Sequence, residues 1–114
     1  MNQAVRVQFD ALRSQAFGAV AVGYTVVGSV FAHPVRLLVM QNYTNASVTL
    51  SFDGVTDHMQ LAAGAQIVLD FASDASAVAG IWSLSVGEGV YIKQSGAAPT
   101  SGSFFVSAAY GKGE

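Results

Sequence analysis

From Val35 to Phe71 the chain reads VRLLVMQNYTNASVTLSFDGVTDHMQLAAGAQIVLDF, nearly free of charge and ordered by a period of two. Val48, Leu50 and Phe52 alternate with Thr49, Ser51 and Asp53, so an extended backbone puts the apolar set on one face. Ile67, Leu69 and Phe71 repeat the pattern against Val68 and Asp70. Leu37, Leu38, Val39 and Met40 form an unalternating apolar run, which suits a central strand covered on both faces. Thr44-Asn45-Ala46-Ser47, Asp53-Gly54 and Ala63-Gly64 supply the turns between these strands.

The same pattern continues outside this stretch. Strands are expected at about 17–22, 24–31, 35–43, 46–53, 57–62, 66–72, 80–86, 89–94 and 103–110, with a break at His33-Pro34 because proline donates nothing to a sheet ladder. Ser73 to Ala79 reads as a loop or a single helical turn, and Ser95 to Ser103 (SGAAPTSGS) as a glycine- and serine-rich loop. Val5, Val7 and Phe9 alternate with Arg6, Gln8 and Asp10, marking residues 1–15 as an extended arm or edge strand. Phe9, Leu12, Arg13 and Ala16 also fit a short helix. Residues 16–111 would then form the body and 112–114 a mobile tail. Eight or nine short strands in a chain of 114 residues predict a single-domain, all-β antiparallel sandwich, jelly-roll-like, with an N-terminal arm.

Composition narrows the functional classes. Charged residues make up 11% of the chain and apolar ones 52%, against a charged share of about 25% in ordinary soluble domains. So sparse a charge points to a subunit that hides surface against neighbours, a homo-oligomer. Arg6, Arg13, Arg36, Lys93 and Lys112 are scattered and net charge is −2, which argues against direct nucleic-acid binding. Positions 14–35 carry no Asp, Glu, Lys or Arg, but Gly18, Gly23 and Gly28 interrupt them and leucine is absent, so strands explain them better than a membrane span or a signal segment. The absence of cysteine excludes thiolate zinc sites and disulfides.

No catalytic constellation stands out. Asp53, Asp57 and His58 cluster in FDGVTDH, yet the calcium-loop pattern is missing and Asp53-Gly54 has a sufficient role as a turn. Ser83 and Ser85 lie in plain strand contexts without a nucleophile elbow, and Gly87-x-Gly89 lacks the helix a phosphate loop needs. No catalytic residue, metal or cofactor is therefore expected. Asn42-Tyr43-Thr44 and Asn45-Ala46-Ser47 match the glycosylation acceptor and read as turn chemistry. Trp82 and Tyr91, with Tyr43 and Tyr110, offer an alternative function: a sugar-stacking platform in a carbohydrate-binding sandwich.

Six segments together resemble small virion proteins of tailed bacteriophages. They are Ser51 to His58 (SFDGVTDH), Leu61 to Gly64, Ile67 to Phe71, Val90 to Lys93, Gly96 to Gly102 and Val106 to Gly111. The opening ALRSQAFGAVAVGYTVVGSVFAHPVRLLVMQN fits as well, so the resemblance spans about residues 9–111. It implies a non-enzymatic structural role in the particle, as head decoration or cement, or as a collar ring between head and tail. The implied partners are further copies and the major capsid, portal or tail proteins. The implied place is the virion, assembled in the host cytoplasm. For such contacts the residues of choice are Val5, Val7 and Phe9 of the arm, Pro99 of the loop, and Phe104 and Phe105 of the last strand, where neighbours face opposite ways.

Overall fold

The computed structural model describes residues 6–70 and 87–112. It is a two-sheet, antiparallel all-β structure of nine strands: β1 (Arg6–Phe9), β2 (Arg13–Ala16), β3 (Thr25–Val26), β4 (Val35–Asn42), β5 (Val48–Ser51), β6 (Met59–Leu61), β7 (Gln66–Asp70), β8 (Tyr91–Gln94) and β9 (Ser103–Lys112). One sheet runs β1–β9–β4–β7, with β2 also paired to β9, and the other runs β3–β8–β5–β6. The chain passes repeatedly from one sheet to the other, so β9 lies between the two N-terminal strands and β4, while β8 lies between β3 and β5.

The period of two becomes an inside and an outside. Val48 and Leu50 point inward, as do Leu38, Met40 and Asn42 of β4 and Phe104, Val106 and Ala108 of β9, all essentially inaccessible. Val27, Phe31, Val35, Val90 and Ile92 complete the core. Removing side chains of this size from water contributes about 1.5–3 kcal/mol each, which is what holds two sheets of short strands together.

Several expectations change at the corners. Residues 17–22 do not form a strand: Phe17–Ala19 is a 3-10 turn closed by the Val20 amide on Phe17 O at 3.2 Å. The chain is crossing there from β2 in one sheet to β3 in the other, and a crossing needs a bend. The span 24–31 shrinks to Thr25–Val26, because Gly28 at φ 70° leaves the extended region. Val27 and Phe31 still donate to Val90 O and Glu88 O, both at 2.8 Å, so the departing chain stays anchored. The spans 46–53, 57–62 and 89–94 shorten to β5, β6 and β8. The strand expected at 80–86 and the loop 73–79 lie outside the described residues.

The N-terminal segment belongs to the chain's own sheet. Arg6 to Phe9 pair with Lys112 to Ala109, and Arg13 to Ala16 pair with Val106 to Ser103. No helix forms at 9–16, since Arg13 and Gln15 face inward while Ser14 and Ala16 face out, the alternation of a strand. Lys112, expected in a mobile tail, is a paired strand residue.

Candidate functional site

The FDGVTDH segment is a self-contained turn. The Ser51 hydroxyl accepts from the amides of Asp53 (3.2 Å) and Gly54 (2.9 Å), and donates to the Asp53 carboxylate at 2.7 Å. Asp53 Oδ1 in turn accepts from the Val55 and Thr56 amides, both at 2.8 Å. These bonds, the Thr56 and Val55 amides first, hold its carboxyl far below the usual carboxylate range. Gly54 sits at φ 79° beneath the Tyr91 ring, which is half-buried. His58 Nδ1 accepts from the Phe52 amide at 3.0 Å, and its ring stacks on Phe52.

Asp57 is bound up as well. It accepts a hydrogen bond from the Tyr24 hydroxyl and pairs with Lys93 Nζ at 3.2 Å, while Lys93 lies 4.7 Å over the Tyr24 ring. The Tyr24 bond, then Lys93, lowers the Asp57 pKa. Partial burial, followed by the bond to Asp57, pushes Tyr24 up to about 12. The cluster borders an open hollow lined by Thr49, Asp57, His58, Met59 and Gln60. Among the described residues no three His, Cys, Asp or Glu side chains converge as metal ligands.

A second hollow, over Asp10, Leu12, Gly28 and Val30, has Arg13 as its floor. That guanidinium is taken up by its own fold. Nε donates to Ser29 O at 2.8 Å, Nη2 to Val30 O at 3.3 Å and Nη1 to Asp10 at 3.4 Å, and the group lies 4.7 Å over the Phe31 ring. Arg13 clamps the 28–31 segment onto β2.

The remaining feature is a difference between the two outer faces. On the β3–β8–β5–β6 sheet the outward, cross-strand neighbours are Thr49, Gln60 and Lys93, with Asp57 beside them. On the other sheet the outward positions in register are Leu37, Val39 and Gln41 of β4, Gln66, Val68 and Asp70 of β7, and Phe105, Ser107 and the buried Ala109 of β9, extended by Phe9 of β1. Val68 is 52% exposed and Phe9 61%. Tyr43, 52% exposed, meets Phe105 edge-on at 5.8 Å between centroids. The apolar run of β4 is thus fully buried on one face only, because Leu37 and Val39 are half-buried.

The residues expected at interfaces scatter. Phe9 and Phe105 lie on this apolar face, whereas Phe104, 0% exposed, is a core residue, and Pro99 is buried inside the monomer. β-Strand parity decides the Phe104–Phe105 pair, since Phe104 opposes Asn42 and Phe105 opposes Gln41. Val7 is placed in β1, while Val5 and Trp82 lie outside the described residues. Tyr110 stacks on His33 at 3.9 Å between ring centroids. Sequence reasoning misses Leu37, Val39 and Val68 as surface residues, although their signal is present: apolar residues at both parities of β4 and β7. No protein-family model, curated protein or solved structure matches the chain.

Proposed function

We propose that this chain is a non-enzymatic structural subunit of a tailed-bacteriophage particle, a head-decoration or collar protein that works by packing its sandwich surfaces against neighbours. The observation that carries this reading is the outer face of the β1–β9–β4–β7 sheet, where exposed Val68 and Phe9 and half-buried Leu37, Val39 and Phe105 lie among Gln41, Gln66 and Ser107 with no charge at the centre. Soluble monomers seldom leave such a contiguous face uncovered, and an assembly subunit uses one. The segments resembling virion proteins supply the particle, and the nested strand order, with β9 and β8 each inserted between earlier strands, supports a jelly roll. The polar groups of the 51–58 turn are spent on one another, which leaves surface rather than chemistry as the product. The partners are further copies and capsid, portal or tail proteins, the place is the virion, and the reading requires neither nucleic-acid nor membrane contact. Mass spectrometry of purified particles together with light scattering of the isolated protein tests it. Incorporation into virions is expected; a protein absent from particles and monomeric at high concentration would overturn the reading.

A further inference from the structure

Within that proposed role, we infer that a second copy of this chain packs face to face on the outer surface of the β1–β9–β4–β7 sheet, about a two-fold axis near Val39 and Val68. The inference rests on the assembly reading for its setting, and on the face itself for its substance.

Size comes first. Four strands about 4.8 Å apart, each offering about five residues at about 3.4 Å, make a face of roughly 300 Å² in plan. With side-chain relief, two such faces closing on each other remove roughly 1,000 Å² in total, the lower bound of a specific interface. Aligned sheets pack about 10 Å apart at about −30°, so the pairing needs no distortion of either copy. An interface of this size predicts a reversible, concentration-dependent dimer rather than a permanent one.

Charge then selects the occupant. A two-fold axis sets each central residue beside its own copy, so any charge there would repel itself. The central outward positions here are Val39, Val68 and Ser107, all uncharged. Gln41 and Gln66, which touch across β4 and β7 at 3.3 Å, add amides that both donate and accept and so match their own copies. Asp70 is the one charge among the outward register positions, and it lies at the corner opposite Leu37, with Arg36 in the adjacent bulge. A partner chosen by charge would find nothing to read at the centre, while a second copy meets an apolar, self-complementary surface. The opposite sheet, with Lys93, Asp57 and Gln60 outward, has no such centre.

The edges compete poorly. Among the described residues the edge strands β7, β6 and β3 are five, three and two residues long, and the β1/β2 edge is interrupted at Asp10–Leu12. Main-chain pairing between copies has little unbroken length to use there.

The chain has no cysteine, so a single introduced thiol is an unambiguous reporter. Val68→Cys is to be labelled with a maleimide across a range of protein concentrations, beside Val55→Cys on the 82%-exposed turn of the other sheet. Labelling of the Val68→Cys variant should slow by at least about tenfold as concentration rises, while the Val55→Cys variant keeps its rate. Val68→Asp, at a half-exposed position that tolerates polarity, should weaken self-association by at least about tenfold while leaving circular dichroism, and the melting temperature at concentrations where both proteins are monomeric, unchanged. Labelling of Val68→Cys at full rate at every concentration would overturn the inference, because the face would then be free. Protection independent of concentration would also overturn it, since part of the same chain, such as residues 71–86, would be the cover. Equal protection of both thiols would place the contact elsewhere and refute it too. A protein that enters virions yet shows no concentration-dependent protection keeps the structural role and loses the face-to-face dimer. Concentration-dependent protection without incorporation does the reverse.

Discussion

Asn42→Ala should be the most damaging single truncation of a polar side chain in this molecule. Asn42 ends β4, is 0% exposed, and uses its whole amide. Its Nδ2 donates to Ala46 O (2.9 Å), Leu61 O (3.0 Å) and Ala62 O (3.2 Å), and its Oδ1 accepts from the Thr44 amide (3.1 Å) and the Thr44 hydroxyl (2.6 Å). One side chain thereby ties the 43–46 turn to the 61–62 corner. Truncation strands the buried Thr44 amide, at about 1–3 kcal/mol, and removes the two Nδ2 protons shared among the three carbonyls, worth about 1 kcal/mol each. The Thr44 hydroxyl keeps a partner in Ala46 O at 2.9 Å, and water can reach the part-buried Ala46 and Ala62 carbonyls. A loss of about 4 kcal/mol is therefore expected, or about 15 °C in Tm for a domain of this size. Asn45→Ala is the matched control. Its two bonds, to the Thr100 hydroxyl at 2.6 Å and from the Thr100 amide at 2.8 Å, lie at the exposed surface, so it should cost under about 1 kcal/mol. Guanidinium unfolding followed by circular dichroism at one fixed protein concentration measures both. If Asn42→Ala falls within about 1 kcal/mol of Asn45→Ala, the argument from buried polar satisfaction is wrong.

Three further outcomes follow from the same geometry. Phe104→Ala should cost about 3–5 kcal/mol in the same unfolding assay, and Phe105→Ala less than half of that, because only the first leaves a cavity. Gly102→Ala should destabilise by well over the about 1–2 kcal/mol of a left-handed alanine, since its Cβ would lie 2.0 Å from Tyr43 O; Gly64→Ala, at φ 77° with open space around it, should show that backbone cost alone. Tyr24 holds its proton to about pH 12 in the folded chain against about 10 when unfolded, so the unfolded state ionises first between those values. Its contribution to stability should be whole below about pH 10 and fade as pH approaches 12, and Tyr24→Phe should remove that fade and the tyrosinate step near pH 12 in absorbance at 295 nm.

The architecture is legible wherever one parity of a strand is apolar and the other polar. Val48 and Leu50 against Thr49 assign β5 without help from the rest of the chain, and Ser51 to Thr56 contain a complete turn within a few residues. Corners are less legible. Residues 17–22 are apolar enough for a strand, but pairing is a property of two segments, and nothing local says that this one bends between sheets. Asn42 illustrates the same limit for side chains: it reads as a turn residue, and its burial comes from carbonyls 19 and 20 positions away. The outer face is half-legible. Apolar residues at both parities of β4 do report that both faces are apolar, but hydrophobicity alone does not distinguish cover by the same chain from cover by a neighbour.

The position of β9 has a temporal consequence. It pairs with β1, β2 and β4, so it is the strand that joins the first and last of the described residues into one sheet. Until residues 103–112 have left the ribosome, β1 and β2 have no ladder partner among the described residues, and of the described strands β4 has β7 alone beside it. Closing that sheet requires contacts across almost the whole sequence, the class of topology that forms in milliseconds to seconds rather than microseconds. The nascent chain therefore waits, with its apolar strands unpaired, for β9 to emerge. Folding of the described sheet is gated by the synthesis of that strand, and a product stalled before it lacks the ladder that joins β1, β2 and β4.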